Sequence, residues 1–277
     1  MTVYPFVLRL GPIELTGYGL MMMVAFLMAG WAIQLELRRR KLDEEFAADI
    51  VIAGVVGGLI GAKIWYVVLT GEWDALLRRG GFVWYGGFLG ATAAIILNGW
   101  RRRVPWRFTV EICAAPLALG YALGRVGCFL VNDDYGIPSS LPWAMKFPQG
   151  LPPSTVANLH AMGISTFGTD PMQVVAVHPT QIYETVIMMV AFWWMWRQRD
   201  HRHATGWMLG CYLVLGGLER FFVEFLRAKD DRFIGPFTLA QATSVALVIV
   251  GAAVLKAWWK PDATPVSLPT LAPPPRV

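Results

Sequence analysis

Charge is scarce in this chain. Of its 277 residues only 16% are Asp, Glu, Lys or Arg, against 56% hydrophobic, and the mean hydropathy is +0.48. Soluble domains carry about a quarter charged residues, so the shortfall points to a solvent that does not reward charge, namely a lipid bilayer. Cysteine is scarce as well. Cys113, Cys128 and Cys211 form no CxxC pair and each sits in an apolar run, which excludes a disulfide scaffold and a thiolate zinc site. The four histidines, His160, His178, His201 and His203, form no ligand cluster, with the last two flanking Arg202 in a basic loop. No metal is therefore expected. The N-terminus lacks the basic region and small-residue cleavage site of a signal peptide, so its first apolar run reads as a retained membrane helix. A net charge of +5 would suit nucleic acid only on a soluble fold with a basic face. Here the basic residues fall in short clusters between apolar runs, and no nucleic-acid partner is expected.

What the chain does have is long apolar runs. A membrane helix needs about 20 mostly apolar residues, and such runs occupy roughly 15–36, 46–69, 82–100, 108–131, 178–196, 205–225 and 236–259. The expected fold is all-α, a polytopic transmembrane bundle of about seven spans. It makes one membrane domain over 1–260, with a small outer-side head at about 132–177. Pro138, Pro142, Pro152 and Pro153 predict irregular structure in that head, and the Pro-rich stretch 261–277 is expected to be a disordered cytoplasmic tail. Fourteen of the 24 Lys and Arg residues lie on one set of loops and in the tail, and seven on the opposite side. By the positive-inside bias the N-terminus is outside and the C-terminus cytoplasmic.

The remaining three basic residues, Lys63, Arg125 and Arg220, lie within apolar runs, where charge is costly and marks function by default. On this topology six spans bring unusual residues to the same outer half. They are Tyr18 in Gly17-Tyr18-Gly19, Gly57-Gly58 through Lys63, Trp84-Tyr85-Gly86-Gly87, Gly124-Arg125-Val126-Gly127-Cys128, His178 through Glu184, and Glu219-Arg220 through Glu224 followed by Arg227. Arginine offers a planar fork suited to phosphate or carboxylate. Two arginines and a lysine at that depth suit an anionic lipid head. Glu224 follows Arg220 by four positions and so shares its helix face. His178, Gln181, Tyr183 and Glu184 are candidates to hydrogen-bond a glycerol head or a peptide backbone. Competing structural readings are an intramembrane ion pair for Arg220 and Glu224, snorkelling for Lys63, and helix packing for the Gly57/Gly58/Gly61 set. Trp84 reads as an interfacial belt residue, Asp133 and Asp134 as solvated loop charges, and Cys128 as a small apolar filler.

Taken together, Gly124 to Leu130 with Asp134-Tyr135-Gly136, His178 to Glu184, Arg220 to Arg227, and Gly57 to Gly61 with Lys63 resemble the signature of the bacterial prolipoprotein diacylglyceryl transferases, in family order over roughly residues 15–227. The resemblance implies an enzyme of the cytoplasmic (inner) membrane, working at its outer leaflet. It would move the diacylglyceryl group of phosphatidylglycerol to the lipobox cysteine of a preprolipoprotein, forming a thioether and releasing glycerol phosphate, with no cofactor. It implies that Arg125 and Arg220 face the phosphate, that Glu224 orients Arg220, and that Tyr18 matches a functional tyrosine. Lys63, Gly86, Gly87, His178, Gln181, Tyr183, Glu184 and Arg227 would contact substrate. Two departures stand out. Tyr85 occupies a slot where family members often carry a histidine considered for the base, and Cys128 one where many carry asparagine. Tyr85 is thus a catalytic candidate beside substrate-assisted ionisation of the thiol. These departures also leave open a divergent paralogue that binds anionic phospholipid without transfer. A small membrane transporter would instead spread its charges through the bilayer.

Overall fold

A computed structural model describes residues 1–271 except 12, 77, 79, 167, 230, 231, 235, 236, 265 and 267. Seven long α-helices fall on the seven apolar runs: α1 (Gly17–Arg39), α2 (Glu45–Thr70), α3 (Trp84–Arg101), α4 (Trp106–Leu130), α6 (Thr180–Arg197), α7 (Trp207–Glu224) and α8 (Leu239–Ala257), with a short α5 (Val156–Ala161) between α4 and α6. Four of them, α1, α2, α4 and α8, are long and apolar enough by composition to cross a membrane. The other three carry more polar matter, such as Gln181 and Glu184 in α6 and Glu219, Arg220 and Glu224 in α7. The all-α expectation needs one amendment. Short antiparallel pairs form between Val7–Leu10 and Ile13–Thr16, Met145–Lys146 and Ala176–Val177, and Arg232–Ile234 and Phe237–Thr238.

The chain divides into two compact units. The first comprises residues 1–26, 117–201 and 209–257, the second residues 27–116, 202–208 and 258–277. In the first, the segment between α4 and α6 folds on a small core of Tyr135, Phe147, Leu159 and Val177. Tyr135 stacks on Phe147 at 5.5 Å between ring centroids, and Thr155 caps α5 by accepting from the Asn158 amide.

The second unit is organised by a seam between α2 and α3. Added Cβ atoms at Gly57, Gly61, Gly86 and Gly90 would collide with backbone of the facing helix, for example Gly61 with the Gly86 carbonyl. Only hydrogen at these positions permits the approach, as in small-residue membrane helix pairs. The unit's core gathers Ile33, Leu37, Phe46, Val104, Phe108 and Ile112. Leu271, from the stretch expected to be disordered, is buried in that same core, and its carbonyl accepts from the Asp43 amide at 2.7 Å. Residues 272–277 of that stretch lie outside the described residues.

Candidate functional site: an arginine–carboxylate cluster

The first unit holds a dense ion-pair cluster, and its geometry begins with the end of α4. Gly127 admits α1 so closely that an added Cβ would lie 3.3 Å from the Tyr18 Cα and 3.2 Å from the Met21 Cβ. Past Leu130 the chain reverses through Asn132 and Asp134, with φ of 60° and 63°, a left-handed conformation that Asn and Asp tolerate better than other side-chain-bearing residues. The turn is pinned from α6. The Thr180 hydroxyl donates to the Asp134 carbonyl at 2.7 Å, and the Gln181 amide to the Asp133 carbonyl at 2.6 Å. Gly136 completes it, since a Cβ there would strike the Leu226 carbonyl oxygen. The reversal returns the Asp134 carboxylate to Arg125, whose Nη1 donates to it at 2.8 Å.

Glu184 is the hub. Its carboxylate is fully buried and receives both Nε and Nη2 of Arg125. Its other oxygen lies 3.8 Å from Arg227 Nη1, 4.0 Å from Arg220 Nη1, and 3.5 Å from the Tyr121 hydroxyl, which donates to it. Glu224 pairs with Arg220 Nη2 at 2.5 Å, as the four-residue spacing requires, and accepts the Thr238 hydroxyl at 3.0 Å. Arg227 closes the circuit by pairing with Asp134. Three guanidiniums thus alternate with three carboxylates in a closed ring of ion pairs. A buried charge is tolerated only when paired and hydrogen-bonded. Two buried donors of the ring make no hydrogen bond among the described residues: Arg220 Nη1, and Arg227 Nε, which lies 3.7 Å from the Glu224 carboxylate. Arg220 is also the most exposed of the three arginines, at 26% against 13% for Arg125 and 10% for Arg227.

The two aspartates of the turn are shifted in opposite directions from the ordinary carboxyl value. Burial pushes the Asp134 carboxyl up, but the Arg227 and Arg125 guanidiniums outweigh it and hold it below the usual carboxylate range. Burial and the neighbouring Asp134 charge raise Asp133. Asp134 is therefore no solvated loop charge but a bridge between two arginines. Its signal in the sequence was its place directly after the Arg125 segment. Cys128 is more than filler too, because its buried sulfur accepts from Arg125 Nη1 at 3.5 Å.

The remaining sequence candidates separate. Gln181 and Glu184 are fully buried, so they hold the turn and the arginines rather than offering themselves to a ligand. His178 Nδ1 lies 3.2 Å from the Tyr183 hydroxyl, which accepts from Trp143 Nε1 at 2.8 Å. Tyr18 is half-exposed beside Gly127. Lys63, Tyr85, Gly86 and Gly87 belong to the second unit. There Lys63 neither snorkels nor waits for an anion. Its ammonium donates to the carbonyls of Ala75, Arg78 and Gly80 at 2.8, 2.6 and 2.5 Å and sits 4.6 Å from the Phe82 ring centre. All three donors are engaged in holding the loop that leads into α3. Gly86 lies in the helix seam, whereas Tyr85 is exposed at the start of α3. Among the described residues no group of three or more His, Cys, Asp or Glu side chains is placed to hold a metal ion.

Comparison with known proteins gives a consistent result. The profile of a family described as prolipoprotein diacylglyceryl transferase matches residues 5–257. Proteins named phosphatidylglycerol–prolipoprotein diacylglyceryl transferase are similar along most of their length. The one from Synechococcus elongatus is 30% identical over 264 residues, covering 89% of this chain and 84% of its own. That from Paraburkholderia phymatum is 30% identical over 280 residues, covering 91% of each. That from Clostridium tetani is 26% identical over 254 residues, covering 89% of this chain and 94% of its own.

Proposed function

Because the chain belongs to the prolipoprotein diacylglyceryl transferase family, we propose that it transfers the diacylglyceryl group of phosphatidylglycerol to the lipobox cysteine of preprolipoproteins. The cysteine sulfur attacks the glyceryl carbon that carries the phosphate. A C–S bond forms, the C–O bond to the phosphate breaks, and its electron pair leaves with glycerol phosphate. The thiol proton departs to a phosphate oxygen of the lipid. The protein crosses the cytoplasmic membrane about seven times, with its N-terminus outside, its C-terminus cytoplasmic and the arginine cluster at the outer leaflet.

The observation that carries this reading is Arg220, the most exposed guanidinium of the cluster, whose Nη1 makes no hydrogen bond among the described residues. The leaving phosphate gains charge as the C–O bond breaks, and a fixed guanidinium aimed at that charge lowers the barrier without reorganising. Glu224 holds Arg220 in place, while Arg125, clamped by Glu184 and Asp134, adds its field from behind. Tyr18, His178 and Tyr183 contribute polar contacts to the substrates.

The test uses purified protein, phosphatidylglycerol and a lipobox peptide, with mass spectrometry of the peptide cysteine. A diacylglyceryl adduct is expected, together with release of glycerol phosphate. Absence of the adduct across several lipid compositions would overturn the reading. Full activity of Tyr85→Phe would assign the proton to the departing phosphate.

A further inference from the structure

A cavity of about 290 Å³ lies in the first unit, walled by three segments: the 133–135 turn, residues 151–152 with Met162, and residues 227–229. Its walls are tied to one another. The Tyr135 hydroxyl donates to the Pro152 carbonyl at 2.7 Å, the Ala228 amide to the Tyr135 carbonyl at 3.2 Å, and the Leu151 amide to the Asn132 carbonyl at 3.2 Å. The space is therefore built into the fold rather than left between loose loops.

Size and chemistry narrow the occupant. Binding pockets for small molecules run from about 300 Å³ upward, so this one takes a few side-chain-sized groups but not a pair of acyl chains. Asp133, Asp134, Arg227 and Lys229 all line it, with Asp134 paired to Arg227, so its formal charge sums to zero and two carboxylates border any entering anion. Leu151 and Met162 add apolar surface, and methionine adapts its shape to varied partners. A lipid phosphate suits such a wall poorly. A short stretch of polypeptide, neutral along its backbone and carrying small apolar side chains, suits it well. Position adds the decisive point. Arg227 and Asp134 line the cavity and are also members of the ion-pair cluster, so a peptide lying in the cavity ends beside the guanidiniums.

We propose that this cavity is the acceptor-peptide subsite, holding residues that flank the acceptor cysteine while the lipid phosphate is met at Arg220. The inference rests on the transferase reading above. Its test is steady-state kinetics of Met162→Trp, which fills the cavity. The KM for a lipobox peptide should rise by about tenfold while the KM for phosphatidylglycerol and the kcat at saturating peptide stay within about twofold. A rise in the lipid KM with the peptide KM unchanged would reassign the cavity to the headgroup, and no change in either would empty it of function. Should that variant fail to fold, unaltered protein is photolysed with a lipobox peptide carrying benzophenone next to its cysteine. Cross-links are expected on Met162 or Leu151, and cross-links confined to other segments would overturn the assignment. The two readings fail separately. If the unaltered protein forms no adduct, transfer itself is wrong. If it forms adduct while the peptide KM of Met162→Trp is unchanged, only the subsite is wrong.

Discussion

Glu184 and Glu36 are both buried glutamates clamped by arginines, one in each unit. Glu184 accepts from Arg125, 59 positions away, and faces Arg220 and Arg227 across the fold. Glu36 accepts from Arg39 and Arg40, three and four positions further along its own helix, at 2.6 and 2.5 Å. Nearby Glu111 accepts the backbone amides of Gly206 and Met208 at 2.8 and 3.2 Å, satisfying donors at the start of α7 that the helix itself leaves unpaired. The second cluster thus terminates helices, with Glu36 clamped from its own helix and Glu111 reaching amides 95 and 97 positions away. The first exists only when α4, the turn, α6 and α7 are all in place, and it keeps a guanidinium donor open. Buried charge alone does not separate a working site from a structural one. A carboxylate hub shared by three arginines, with guanidinium donors to spare, does.

The strongest way to break this contrast is to remove the two hubs. Glu184→Ala leaves three arginines without their shared acceptor, so stability should fall by about 3–5 kcal/mol and transfer should cease. Glu36→Ala should lower stability by about 1–3 kcal/mol, less than Glu184→Ala because Arg39 and Arg40 are partly exposed and can turn to solvent, and leave turnover intact. Thermal unfolding in detergent with adduct mass spectrometry reads both, and equal losses of turnover would erase the distinction. Next, Arg220→Lys keeps the charge but loses the fork. Its kcat should drop by about 100-fold with little change in melting temperature, whereas Arg40→Lys should leave kcat alone. A third contrast concerns Glu111→Ala, expected to cost about 1 kcal/mol as a lost helix cap with normal kcat. A defect in kcat would draw the second cluster into function.

The smallest effect sharpens the first cluster through pH. The folded-state pKa of Asp134 is depressed below its ordinary 3.8, so its contribution to stability is fully present above that value. It is lost as pH falls through the folded-state pKa. The difference in melting temperature between the unaltered protein and Asp134→Asn should be constant from neutral pH down to about 4 and close below it. A gap that closes already near neutral pH would show that Asp134 is not held by the arginines.

Much of the architecture was legible because apolar run length is a strong signal. The run 236–259 became Leu239–Ala257, and 108–131 became Trp106–Leu130. The Arg220–Glu224 pair was legible for the same reason, since helical periodicity fixes which side chains meet. What sequence did not reveal depends on irregular backbone. Asp134 reaches Arg125 only through a left-handed turn. Lys63 finds three carbonyls only because the chain after α2 folds back over it. For Gln181 and Glu184, depth was not legible, because spacing names a helix face without saying what covers it.

Leu271 has a consequence for how the protein is made. Its neighbours Ile33, Leu37 and Phe46 leave the ribosome early, and it leaves late. Until then the core of the second unit lacks one of its fully buried side chains, and the closing contact must join distant parts of the chain at an entropic cost. Completion of that core therefore waits for a residue that is synthesised after all seven long helices.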